Sequence, residues 1–181
     1  VSQMDEVKKE SRDCLILANN NEQYSRRNNL RIRGLTVKSQ DDAEQKVAEF
    51  CRNKLNLTNF DIASIETVHI TPTKQSSSAA STSSSAAAWG TRAVNEPAVL
   101  VRFGNREVRD YVLRKRKVLK GTHCSIVEDL TNLNVQTLNR VENNSEVQSC
   151  WTWNGHIYAT LKTGSKIIVN PFQPIANCRI I

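Results

Sequence analysis

Between Asn29 and Val127 the chain offers four strand-like runs and two helix-like segments in the order βαββαβ, and this succession restricts its fold more than any other feature. Asn29 to Gly34 alternates, with Leu30 and Ile32 to one side and Asn29, Arg31 and Arg33 to the other. That is the pattern of a half-buried strand with an arginine-bearing outer face. A helix follows: Ser39 and Gln40 are placed to cap it, Asp41, Asp42 and Glu44 load its first turn with negative charge, and Val47, Phe50, Cys51 and Leu55 recur on one side. Ile65 to Ile70 is β-branched, sets Val68 and Ile70 opposite Thr67 and His69, and stops at Pro72. Residues 74–96 are Ser/Ala low complexity with nothing to bury, so a disordered loop is expected there. Beyond it, AVLVRF from Ala98 to Phe103 reads as a central strand. Asn105 then caps a second helix with Val108, Tyr111, Val112 and Leu119 as its apolar stripe. Arg106, Arg109, Arg114, Lys115, Arg116, Lys117 and Lys120 occupy the remainder, Gly121 ends the helix, and Thr122 to Val127 supplies the fourth strand.

This order is that of the split ferredoxin-like arrangement found in RNA-recognition domains, so the expected fold class is α+β with an RRM-like domain over 28–127. Two segments flank it. Residues 1–27 lack Gly and Pro and carry a sparse apolar repeat, Met4, Val7, Ser11, Cys14 and Ala18, spaced alternately by three and four. The end of a coiled coil fits that repeat, as does a solvated amphipathic helix leading into a domain. Residues 128–181 suggest a small α+β domain. Leu130, Leu133, Leu138 and Val141 mark a helix capped near Asp129 or Thr131, and Asn154-Gly155 between alternating runs signals a β-hairpin. Lys166 to Val169 adds a third strand, and the domain is expected to close near Pro171.

Charge narrows the range of partners. The 181 residues hold 25 Lys+Arg against 18 Asp+Glu, a formal charge of +7 that favours an anionic partner such as nucleic acid or a membrane surface. No apolar run is long enough to span a bilayer. Cys14, Cys51, Cys124, Cys150 and Cys178 are scattered, odd in number and never spaced as CxxC, which indicates reduced thiols rather than a disulfide framework or zinc site. His69, His123 and His156 are too dispersed for a metal-ligand set, and no phosphate-cradling glycine loop or nucleophile elbow occurs. The expectation is therefore a protein that is not an enzyme, without cofactor or metal and without a small-molecule substrate. A start at Val1 rather than Met suggests a fragment of something longer.

Arginine is concentrated at one junction. Tyr24 to Leu35 carries Arg26, Arg27, Arg31 and Arg33 where an Asn-rich helix gives way to a strand. The ordinary fate of charges on a strand is solvation, yet four arginines in eight residues next to a basic helix favour a nucleic-acid site. RNA-recognition sheets usually stack bases on aromatic rings of their central strands, whereas here the first strand offers arginines and the third only Val101-Arg102-Phe103. If Val99, Val101 and Phe103 face inward, Arg102 joins Asn29, Arg31, Arg33, Thr67 and His69 on the open face, which would grip backbone with little sequence preference. Trp151, Trp153 and Tyr158 could stack bases, although an aromatic hairpin in a small domain more often forms the core.

EQYSRRNNLRIRGL, an acidic helix start, AVLVRF, a basic helix, SIVEDLT, CWTWNGHIYATLK and NPF together resemble the first-open-reading-frame protein of LINE-type non-LTR retrotransposons. The C-terminal part, with WTWNGHIY, is also similar to the baculovirus few-polyhedra protein family. The retrotransposon resemblance implies a trimerising coiled coil, an RNA-recognition domain without the usual stacking aromatics, and a C-terminal domain that cooperates with it around single-stranded RNA. It implies nucleic-acid chaperone activity and packaging of the transcript as a ribonucleoprotein, in the cytoplasm with nuclear entry left open. The family's strand-one Asn and Arg fall on Asn29 and Arg31, its third-strand Arg on Arg102 and its basic-helix Arg on Arg114. A basic residue of the family is replaced here by Val127, and its aromatic contact corresponds to Trp151 or Trp153. Arg26, Arg27 and Arg33 complete the candidate nucleic-acid-binding set. The rival expectation is a few-polyhedra-type or coiled-coil adaptor working through protein contacts, and DNA remains open as the ligand in place of RNA.

Overall fold

The computed structural model describes residues 3–71 and 98–181. The expected Ser/Ala loop over 74–96 lies outside the described residues. Those residues form a mixed α+β protein with four α-helices and two four-stranded antiparallel sheets. The chain divides into two compact units, Asn28–Asp129 and the pair of segments Val1–Arg27 and Leu130–Ile181.

In the unit Asn28–Asp129, strands β1 (Asn29–Arg33), β2 (Ile65–Thr71), β3 (Ala98–Phe103) and β4 (Ser125–Glu128) lie in the order β2-β3-β1-β4. Alternation decides which side each residue takes: Leu30, Ile32, Val99, Val101, Phe103, Val68 and Ile126 are buried on one face. Helices α1 (Gln3–Ser25), α2 (Ala43–Lys54) and α3 (Arg106–Lys115) precede and punctuate these strands. Val47, Phe50 and Cys51 of α2 and Val112 and Leu113 of α3 are buried with the inward strand residues, and Phe60 meets Phe103 edge-on at 6.5 Å. Gly34 closes β1 at a φ of 75°, where a Cβ would overlap the His123 carbonyl, so only glycine fits.

Several local expectations change. Ser39 and Gln40 do not cap α2; Asp42 occupies the cap position in helical geometry without a side-chain cap bond, and Ser39 Oγ donates to its carboxylate at 2.9 Å. Gln40 instead reaches the edge strand β2, its Nε2 donating to the Val68 carbonyl and its Oε1 accepting from Ile70 N at 3.3 Å. A carboxamide that offers both a donor and an acceptor satisfies an exposed strand edge in this way. Asn105 does cap α3, accepting from Glu107 N at 2.7 Å, but the helix passes at Arg116–Leu119 into a 3-10 turn before reaching Gly121. Tyr111 is half exposed and Leu113 fills the core in its place. Arg109 is not on the solvated face: it is 1% exposed, with Nη2 on Glu128 Oε1 at 2.6 Å and Nη1 on Asp110 Oδ1 at 2.7 Å.

The other unit joins α1 to the C-terminal segment. Strands β5 (Val147–Trp153), β6 (His156–Leu161), β7 (Lys166–Val169) and β8 (Arg179–Ile180) follow one another in sheet order, and α4 (Asn132–Glu142), capped by Thr131, packs against β5 and β6. Asn154 and Gly155 both take positive φ, 54° and 77°, as a two-residue hairpin of this type requires. The core is aliphatic: Val141, Ile157, Ala159, Ile167, Val169, Ile175 and Cys178. It does not close at Pro171, because Ile175 and Cys178 enter it and β8 extends the sheet to Ile180. Helix α1 buries two side chains, both polar, Asn19 and Gln23. Its Met4, Val7, Leu15 and Leu17 are all more than half exposed.

Candidate functional site

Register assembles the predicted residues of β1 and β3 into rows. Asn29 pairs with Arg102, and Arg102 in turn with Thr67; Arg31 pairs with Leu100 and Val127, and Leu100 with His69. Residues paired across an antiparallel ladder share a side, so Asn29, Arg31, Arg33, Arg102, Thr67 and His69 stand together on the face opposite the buried strand residues. A one-residue slip would drive the arginines into the core, which the apolar alternation forbids.

Two of these cations, Arg31 and Arg102, are held by acids. Arg31 Nε donates to Asp129 Oδ1 at 2.7 Å, and Asn29 Nδ2 donates to Asp129 Oδ2 at 3.0 Å. Asp129 is 2% exposed while the Arg31 side chain is 32% exposed, so the carboxylate anchors one edge of the guanidinium and leaves part of the group accessible to solvent. Arg102 Nε lies 3.0 Å from Glu66 Oε2, both side chains being nearly half exposed, a pair that contributes at most about 1 kcal/mol. Arg33 is half-buried on the same face, and Arg114 is exposed on α3. A planar guanidinium fixed at Nε still offers two NH2 groups in a fork suited to phosphate.

Arg26, Arg27, Trp151 and Trp153 belong to the other unit. Arg26 Nη2 pairs with Glu22 Oε1 at 2.5 Å one helical turn earlier, and the Arg27 guanidinium lies 3.9 Å from the centre of the Tyr24 ring. Trp151 pairs with Tyr158 across the hairpin, their rings parallel within 13° and 5.6 Å apart. Both tryptophans are half-buried and neither is in the aliphatic core, which lies beneath the other face of the sheet. The opposite face carries Trp151, Trp153 and Tyr158.

Sequence reasoning missed the acids that hold the arginines. Asp129 and Arg31 are 98 positions apart and Glu66 and Arg102 are 36 apart, so no local pattern links them. It also missed a carboxamide cluster. Asn19 Nδ2 donates to Asn134 Oδ1 at 3.0 Å and Asn19 Oδ1 accepts from Thr131 Oγ1 at 2.5 Å, while Gln23 Oε1 accepts from Thr131 N and Asn134 Nδ2, each at 2.9 Å. The Asn-rich end of α1 was the available signal. Among the described residues no group of His, Cys, Asp or Glu could hold a metal ion, and no helix is long and apolar enough to cross a membrane. Comparison of the chain with protein-family models and with curated proteins finds no match.

Proposed function

We propose that this chain binds single-stranded nucleic acid with little sequence preference, as the RNA-packaging and chaperone protein of a LINE-type retrotransposon. The observation that carries the reading is the row of Asn29, Arg31 and Arg102 on one sheet face, together with a buried carboxylate that orients Arg31. Strand order β2-β3-β1-β4, with the buried side chains of α2 and α3 in the core beneath one face, supports an RNA-recognition type of unit whose other face meets the ligand. Phosphate contacts from such a face fix position and supply affinity without reading bases. Arg33 and Arg114 add to the field, and Arg26 and Arg27 supply further positive charge ahead of β1.

The exposed apolar residues of α1 support a homo-oligomer. Met4, Val7, Cys14 and Ala18 are all solvent-exposed in the single chain, as heptad positions are before partners cover them, and a trimer is the state we assign. Fluorescence anisotropy with a short single-stranded RNA, its DNA counterpart and the duplex across a salt series tests the proposal. Binding that is steep in salt and prefers single strands whatever their sequence supports it. An absence of binding at low salt overturns it and leaves an adaptor that acts through protein contacts.

A further inference from the structure

A cleft of about 280 Å³ opens in the unit that contains α1 and the hairpin. Its apolar lining is Ile157, Val169 and Pro171; Asn20 and Asn154 contribute carboxamides and Tyr24 an aromatic ring. No Asp, Glu, Lys or Arg lines it among the described residues. Size and neutrality select a single uncharged heterocycle, since pockets for larger ligands run from ~300 to 1,000 Å³.

The surroundings are built rather than incidental. Asn134, which also lines the cleft, is fixed by Asn19 and Gln23, and its Nδ2 donates to the Gly155 carbonyl at 3.1 Å. Gly155 abuts Gln23 so closely that a Cβ would overlap its Cγ, which locks α1 against the hairpin turn. Asn20 and Asn154 stand outside that network, and Asn154 Oδ1 is buried without a hydrogen-bond partner. An unmade bond of this kind costs free energy that a donor brought to that oxygen recovers. Beside Tyr24 sits the Arg27 guanidinium, 3.9 Å from the ring centre, where it can meet an anion attached to whatever occupies the cleft.

We infer that the cleft takes an unpaired nucleobase from a single strand. Carboxamides present a donor and an acceptor in one plane, as the edge of a base does, and splayed bases are held by such hydrogen bonds together with a neighbouring ring. Tyr24 supplies that ring and Arg27 meets the phosphate that joins the base to its neighbour. The inference rests on the proposed nucleic-acid reading and adds to it a contact with the base itself, distinct from the backbone contacts of Asn29, Arg31 and Arg102.

The full chain is titrated with a short single-stranded oligonucleotide and with the same strand made abasic, for the unchanged protein and for Asn154→Gly and Tyr24→Ala. Glycine suits the positive φ at position 154, so the first variant removes the carboxamide without straining the turn. The expected result is a preference of about tenfold for the base-bearing strand, the size of one stacked base. Each variant should reduce that preference by about three- to tenfold, weakening the base-bearing strand more than the abasic one. Equal affinity for the two strands, or a preference that survives both substitutions, overturns the base site while leaving salt-steep backbone binding intact. No binding of either strand at low salt overturns the nucleic-acid reading as well.

Discussion

Arg31 and Asn29 share one buried carboxylate: Arg31 Nε meets Asp129 Oδ1 at 2.7 Å and Asn29 Nδ2 meets Asp129 Oδ2 at 3.0 Å. A guanidinium held in this way has one orientation, and the entropy of fixing a long side chain is met during folding instead of on binding. It also means that Arg31 serves stability and, on our reading, ligand contact at once.

Those two roles separate by measurement. Arg31→Ala should cost about 2 kcal/mol of folding stability, because Asp129 loses its charge-assisted partner while remaining buried. On oligonucleotides it should weaken binding to all sequences alike and flatten the salt dependence by about 0.7 log units for the lost phosphate contact. Denaturant unfolding reads the first effect and anisotropy the second. A variant that is destabilised but keeps its affinity and salt slope would make Arg31 a structural residue alone.

Arg109 and Glu128 form a second, deeper pair, 1% and 4% exposed and 2.6 Å apart at the bonded atoms. Removing Arg109 takes a hydrogen-bonded cation from the buried Glu128 carboxylate, so Arg109→Met should cost about 3–5 kcal/mol, whereas Glu128→Gln should cost less because Arg109 keeps Asp110. Arg109→Met combined with Glu128→Leu should recover much of that loss, since replacing both charges by apolar groups removes the desolvation penalty. A double-mutant cycle by chemical denaturation checks it. Additive losses would show that the two residues do not act as a pair.

Cys51 lies in the core of the same unit, where burial pushes its thiol up to about 12 from 9.0. The folded chain therefore keeps the proton that the unfolded chain releases above pH 9, and stability falls as pH rises from about 9 toward 12. For one such group the slope reaches about 1.4 kcal/mol per pH unit. Cys51→Ala should lower stability at neutral pH yet flatten the alkaline decline, as thermal melts at successive pH values would show. At pH 8 a maleimide should label exposed Cys14 and spare buried Cys51.

Much of the fold was legible because periodicity reports burial. Leu30 and Ile32, Val99 and Val101, and the Asn154-Gly155 turn lie where alternation and turn chemistry predict. Arg109 was misassigned because charge is a strong sign of exposure, and its partner Glu128 is on another element. The strand β8 escaped because two residues carry no period, and it exists through pairing with β7. For the candidate site, alternation gave the shared face of Asn29, Arg31 and Arg102. Nothing in one sequence could reveal that Asp129 and Glu66 hold the arginines, because those contacts arise only once distant strands pair.

Helix α1 carries most of its apolar side chains exposed. Met4 and Val7 are 62% and 59% exposed, while the side chains that tie the helix to its own unit are the polar Asn19 and Gln23 near its C-terminal end. If Met4 and Val7 face other copies, Val7→Asp brings like charges of several copies together in the oligomer, a far larger repulsion than the single exposed contact with Glu10 within one helix. The variant should sediment as a monomer at concentrations where the unchanged chain is oligomeric. Because Val7 contributes nothing to either core, denaturant unfolding of the β-sheets should stay within about 0.5 kcal/mol of the original. Binding to a long single strand should weaken by far more than binding to a short one, since only the long strand engages several protomers at once. Unchanged sedimentation of Val7→Asp would remove α1 as the oligomer contact.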